Sequence, residues 1–179
     1  MTGIANSGVP GDLWACAVFA AAARIESLFV TEPGRGGDRS FMELFADTIA
    51  LSTDRKRELV DVTVQAQQIV HRSGVQEGVC ALYAHGATAA LMVQENDDPN
   101  IGKDVVNCLD TLIPKGVWLH DRIDGNGASH IQAGIVGPSE TIPIREGKLN
   151  LSRWQNIFFC EFDGPRQRRT VAVTILGSV

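Results

Sequence analysis

Residues 156–177 read NIFFCEFDGPRQRRTVAVTILG. Two apolar runs, NIFFCEF and RTVAVTILG, flank the polar segment DGPRQR. Both runs have strand length and are rich in β-branched and aromatic residues. This predicts a β-hairpin. A second hairpin is expected upstream, where ETIPI and KLNL flank the turn Arg145-Glu146-Gly147. FADTIALS, ELVDVT (Glu58 to Thr63), GVCALYAH and TAALMVQE supply further strands. Helices fill the gaps between them. VQAQQIVHRSG has Thr63 as its N-cap and Gly74 as its stop. His71 sits in its last turn, where a cation suits the helix dipole, and reads as structural. DDPNIGKDVVNCLDTLIP opens at Asp98, with Pro99 in the first position and Pro114 ending it. Its apolar stripe is Ile101, Val105, Val106, Leu109 and Leu112 or Ile113. Antiparallel strands with two or three helices predict an α+β fold.

The 179-residue length fits one domain with an appendage. Residues 1–40 read as an extension: an Ala-rich helix over Leu13 to Ala23, then a flexible linker, TEPGRGGDRS, from Thr31 to Ser40. Residues 41–179 carry the periodic patterns of the compact domain. Leu13 to Ala23 lacks a basic flank on its N-terminal side, and Arg24 and Glu26 follow it, so it does not read as a signal segment. No stretch has the length and apolarity of a membrane span. The net charge of −5 argues against nucleic acid as a partner. Cys16, Cys80, Cys108 and Cys160 form no CxxC pair. They point to a reducing, cytoplasmic location and exclude a zinc ribbon.

Four polar groupings stand out. GVWLHDRIDGNGASHIQAG, residues 116–134, holds His120 and His130, ten residues apart. One helix face cannot present both, so a glycine-rich loop must fold back to unite them. Two imidazoles and a carboxylate would make a zinc-type or other transition-metal site; two unrelated surface histidines are the plain alternative. QENDD, at a strand end, places Asp98 as a cap and leaves Glu95 as a ligand or general base. GPSET presents Ser139 and backbone N–H groups to an anion, or is an ordinary loop. In CEFDGPRQRR, Glu161 lies in the strand run and Arg166 is a candidate phosphate contact. Arg168 and Arg169 read as the charged tip of the hairpin.

Taken together, QENDDPN, LIPKGVWLHDRIDGNGASHIQAGIVGPSETIPI and GKLNLSRWQNIFFCEFDGPRQRR resemble, in order and separation, the YjbQ family of secondary thiamine-phosphate synthase-like proteins. The resemblance covers roughly residues 41–177. It implies an antiparallel α+β fold, a homotrimer, and a polar site of histidines and carboxylates. It further implies catalytic roles for Glu95, His120, His130 and Glu161, and substrate or anion contacts at Ser139 and Arg166. His120 and His130, with His85, would hold a divalent metal, zinc or magnesium, and the substrate would be a small phosphorylated metabolite. The chain departs from the family pattern in three places. His85-Gly86-Ala87-Thr88-Ala89 sets Gly86 at a histidine position, so His85 joins the metal only through a bulge. Gln132 replaces a lysine after the second histidine, removing a fixed cation. LSRWQ stands where LGTWQ is common. The activity implied is condensation of a pyrimidine diphosphate with a thiazole phosphate, releasing pyrophosphate. A non-catalytic trimer that binds metal or a small anion is the alternative, and a purely structural protein is a third reading.

Overall fold

The two strands flanking DGPRQR do not pair with each other. In the computed structural model, which describes residues 23–28 and 42–179, they belong to different sheets. The strands are β1 (Ala23–Leu28), β2 (Met42–Thr53), β3 (Glu58–Asp61), β4 (Glu77–His85), β5 (Ala89–Glu95), β6 (Ser139–Arg145), β7 (Lys148–Leu149), β8 (Gln155–Glu161) and β9 (Arg166–Ser178). β9 joins the six-stranded sheet β1-β2-β9-β4-β6-β7, whereas β8 is the middle of the three-stranded sheet β3-β8-β5. All of these pairings are antiparallel. The hairpin expected around DGPRQR is therefore a crossover between sheets. The expected β6–β7 hairpin forms, with Ile144 opposite Leu149 and Arg145 opposite Lys148.

The physical reason lies in β8 itself. A strand with one wet face alternates, but IFFCEF does not, because both of its faces are buried. Ile157 and Phe159 face the core between the two sheets. Phe158, Cys160 and Phe162 face a second core, shared with Ala133, Leu109 and Val136. The domain is therefore layered: the six-stranded sheet, the three-stranded sheet, then two helices. Burial pushes the Cys80 and Cys160 thiols up to about 12, with the Glu140 charge adding to the effect at Cys160, so both behave as small apolar side chains.

Helix α1 (Thr63–Ser73) packs Ala66, Ile69 and Val70 into the inter-sheet core and ends at Gly74, whose φ of 77° needs no Cβ. Thr63 is the first helical residue and not the cap. It donates its hydroxyl to Asp61 Oδ1 (2.6 Å) and accepts the Ile157 N–H (2.8 Å), tying α1 to β8. Helix α2 (Ile101–Leu112) starts two residues after Pro99, because Asp98 Oδ1 accepts the Asn100 N–H and holds a turn there. Its apolar stripe is only half-buried; Ile113 turns inward and Leu112 outward. Helix α3 (Gly127–Val136) occupies the second half of the polar stretch expected to be a loop. The helix and linker expected before residue 41 lie outside the described residues, apart from Ala23–Leu28, which form β1 on the edge of the larger sheet. No helix among the described residues is long and apolar enough to cross a membrane.

Candidate functional site

His120 and His130 do converge. His120 stands on a single 3-10 turn, Leu119–Arg122, and His130 on the first full turn of α3. Their ring centroids lie 4.8 Å apart, edge to face at 86°. Asp121 makes this possible: its Oδ2 accepts the Trp118 N–H (3.0 Å) and its Oδ1 accepts the Gly127 N–H (2.8 Å). One carboxylate thus satisfies orphan donors at the starts of both helical pieces. Gly127 is required by the fold-back, because a Cβ there would meet Asp121 Oδ1 and Trp118 Cβ, each at 2.9 Å.

A residue that the sequence reading passed over completes the group. Asp124 Oδ1 lies 3.1 Å from His120 Nε2, one helical turn along. The donor atoms of His120, Asp124 and His130 all lie within 4.8 Å of one another. His130 Nδ1 lies 3.1 Å from the Ala87 carbonyl oxygen. A carbonyl only accepts, so Nδ1 carries the proton and Nε2 keeps a free lone pair, the tautomer that a ligand needs. Zinc with donors at about 2.0–2.2 Å fits between atoms at this spacing, since His120 Nε2 and Asp124 Oδ1 already stand 3.1 Å apart and both side chains are exposed enough to adjust. Two imidazoles and one carboxylate suit zinc or a similar transition ion; magnesium prefers an all-oxygen shell. His130 also lines a cleft of about 370 Å³, walled by Tyr83, Gly86, Ala87, Ala133 and Pro138.

The other expected residues fall elsewhere. His85 stays in register opposite Thr170, with no bulge, and packs its exposed ring against Tyr83 on the outer face of the sheet. It is not in the histidine group. At Gly86, φ is +125° and a Cβ would meet Arg169 Nη1 at 2.6 Å, so a histidine there would have to displace the arginine. Glu95 Oε1 accepts the N–H groups of Asp97 and Asp98, closing the turn after β5. Six residues of β5 separate it from Ala89, the strand partner of Glu161, or about 20 Å at the usual strand rise. Ser139 is exposed at the start of β6, beside Pro138 of the cleft wall. Arg166 is held by Asp163, through Nε to the backbone oxygen (3.0 Å) and Nη2 to Oδ2 (2.9 Å).

Glu161 has no exposure, and its lone pairs are committed. Arg169 binds it in a two-pronged pair, Nε to Oε2 and Nη2 to Oε1, both 2.7 Å. The Thr53 hydroxyl (3.1 Å) and the Asp163 N–H (2.8 Å) also donate to it. Arg169 is thus a buried partner and not a hairpin tip. Its Nη2 also donates to Thr88 Oγ1 (3.0 Å), in the turn whose Ala87 carbonyl orients His130. Arg169 thus links Glu161 to Thr88, the residue next to Ala87. Gln132 is fully buried, accepting from Arg57 Nε (3.2 Å) and donating to Asp110 Oδ1 (3.0 Å).

Two carboxyls give the region its acid response. The Trp118 N–H, opposed by desolvation and aided by Gly127, Gly116 and the His120 charge, holds Asp121 below the usual carboxylate value. Burial pushes Asp163 up, but hydrogen bonds from Lys56 and Asn126 and the charges of Lys56 and Arg166 outweigh it, so its carboxyl also lies low. A lowered folded value means that each contribution is complete above the unfolded value near 4. It is lost as the pH falls through the folded one. Asp121→Asn and Asp163→Asn should each be less stable than wild type at neutral pH. Each should also show a flatter loss of stability between about pH 4 and pH 2, read by urea denaturation across that range.

The sequence and fold are shared with known proteins. The model of the family described as "UPF0047 protein YjbQ-like" matches residues 47–178. A UPF0047 protein of Methanocaldococcus jannaschii is 42% identical over 127 residues, covering 71% of this chain and 91% of the relative. UPF0047 protein YugU of Bacillus subtilis is 33% identical over 133 residues, covering 73% and 98%. Among solved structures, a YbjQ-like protein of unknown function from Sulfolobus solfataricus aligns with a TM-score of 0.74 at 38% identity, over 76% of this chain and 99% of that one. An uncharacterized conserved protein of the YjbQ/UPF0047 family from Clostridium acetobutylicum aligns at 0.68 and 37% identity, over 72% and 98%.

Proposed function

The chain belongs to the UPF0047 YjbQ-like family, and from that premise we propose that it carries out metal-assisted chemistry on a small phosphorylated metabolite, in the manner of a thiamine-phosphate synthase. The observation that carries this reading is the His120, Asp124 and His130 group, with the free Nε2 of His130 beside a cleft. Three donors leave positions open for substrate oxygens, as in catalytic metal sites. A bound divalent ion supplies Lewis-acid neutralisation of a phosphoryl or diphosphate oxygen. The protein residues do the rest. His130 is oriented by the Ala87 carbonyl, and the small residues Gly86, Ala87 and Ala133 leave room for an organic ring. Ser139 at the rim offers a hydroxyl to an anionic group. A homotrimer is part of the proposal: the outer face of the larger sheet leaves Val79, Tyr83 and Leu176 exposed, as a face that pairs with another copy would.

The test is turnover. Purified chain with zinc is expected to form thiamine phosphate from the pyrimidine diphosphate and thiazole phosphate above a His120→Ala/His130→Ala control. Equal product from both would sink the synthase reading. A second reading, a non-catalytic metal- or anion-binding protein, is favoured by Glu161, whose committed oxygens leave no free carboxylate base behind the histidines. Stoichiometric zinc with no turnover of any phosphorylated compound would select it.

A further inference from the structure

We infer that the cleft between the start of β3 and the first turns of α2 binds a small phosphorylated anion, at a site separate from the histidine group. The cleft holds about 270 Å³ and shares no lining residue with the His130 cleft. Three cations line it, Arg55, Arg57 and Lys103, with Glu58 as the opposing carboxylate. Glu58 is already engaged: its Oε1 accepts the N–H groups of Asp54 and Arg55.

Arg57 is the reason to expect a ligand. Its side chain is only 6% exposed, so its charge has been taken out of water. Its bonds run through Nε, to Gln132 Oε1 (3.2 Å) and Asp110 Oδ1 (3.0 Å). Nη2 is buried with no partner. A guanidinium offers five donors in a fixed fork, and an unmet buried donor costs the full desolvation of that group. Gln132 and Asp110 hold the Nε side and leave Nη2 unmatched, a donor suited to a phosphate oxygen. The opposite wall supplies the complement. Gly102, in the first turn of α2, lines the cleft with backbone that carries no side chain, at the helix end whose dipole favours an anion; the Ile101 and Lys103 N–H groups beside it are taken by the Asp98 and Asn100 carbonyls. Lys103 adds a mobile ammonium, and the Asn107 amide sits one turn further on.

The class of ligand follows from this set: a compact dianion such as a phosphate monoester or pyrophosphate. The experiment titrates the isotope-labelled full chain with inorganic phosphate, then pyrophosphate, at constant chloride ionic strength, following backbone amide resonances. Saturable shifts are expected at Gly102 and Lys103. Lys103→Gln, at an exposed position, should weaken binding about fivefold, as for a partly solvated charge contact. Arg57→Lys keeps the charge but loses the fork, and should weaken it about tenfold or more. If Arg57→Lys fails to fold, Lys103→Gln and Arg55→Gln carry the test alone. The His120→Ala/His130→Ala variant should bind phosphate like wild type, so this result stands apart from the metal reading. The inference is overturned by an absence of saturable shifts up to about 10 mM ligand. Shifts centred on Gly127 to His130, or no effect of Lys103→Gln, would overturn it equally.

Discussion

Glu161→Ala is expected to lower folding stability by about 3–5 kcal/mol, the usual cost of leaving one partner of a buried ion pair alone. Glu161 has no exposure, and Arg169, at 11%, would keep a buried guanidinium with no carboxylate. The pair also bridges the sheets at the crossover. Glu161 ends β8 on the inter-sheet face, and Arg169 lies near the start of β9, opposite Leu51. Removing both charges with shape-filling residues, as in Glu161→Leu with Arg169→Met, should recover most of the loss, since such replacements are often neutral or stabilising. The double variant separates two roles. A supporting Glu161 predicts a folded double variant that still binds zinc, with affinity weakened by the lost Thr88 contact. A Glu161 that ligates the metal predicts a stable protein with no metal. Denaturant melts and zinc titration of wild type, the single and the double variant read both quantities.

The second large effect concerns metal affinity. His130→Ala should weaken zinc binding by more than about 100-fold, beyond the 10- to 100-fold that outer supporting groups typically give. Two facts set His130 above its neighbours: its Nδ1 is spoken for by the Ala87 carbonyl, and it rises from a regular helix and not from an exposed turn. Asp124→Asn keeps an oxygen donor but loses the charge, so about a tenfold loss is expected. Glu95→Gln should leave zinc affinity unchanged, because Glu95 closes a turn at the far end of β5. Competition against a chelator of known affinity measures all three. Equal affinities for His130→Ala and wild type would remove the site.

Much of the fold was legible because it is local. The Arg145-Glu146-Gly147 turn pairs β6 with β7, and Gly74 ends α1 in the left-handed conformation it was expected to need. The sheet assignment of β8 was not legible. A short polar turn between two apolar runs looks the same whether the runs pair or part, and pairing is decided by distant strands. The continuous apolarity of IFFCEF was the available signal, since a strand buried on both faces cannot alternate. The site divides in the same way. His120 and His130 could be named from their shared glycine-rich segment, and Asp124, four residues after His120, was readable as the next turn of the same face. Glu95 and Glu161 were grouped with them because motifs in order do not tell which end of a strand is near. Here β5 carries Glu95 away from the histidines while β8 brings Glu161 behind them. Arg169 looked like a hairpin tip and Gln132 like a neutral replacement for a site lysine, and both proved to be buried members of polar networks that reach residues far off in sequence.

The account rests on one metal centre, and anomalous diffraction from crystals grown with zinc tests it most directly. The predicted result is a single strong peak about 2.0–2.2 Å from His120 Nε2, His130 Nε2 and an Asp124 oxygen, with the Ala87 carbonyl still accepting from His130 Nδ1. A peak at Glu161, Glu95 or His85, or no ordered zinc near His130, would contradict it.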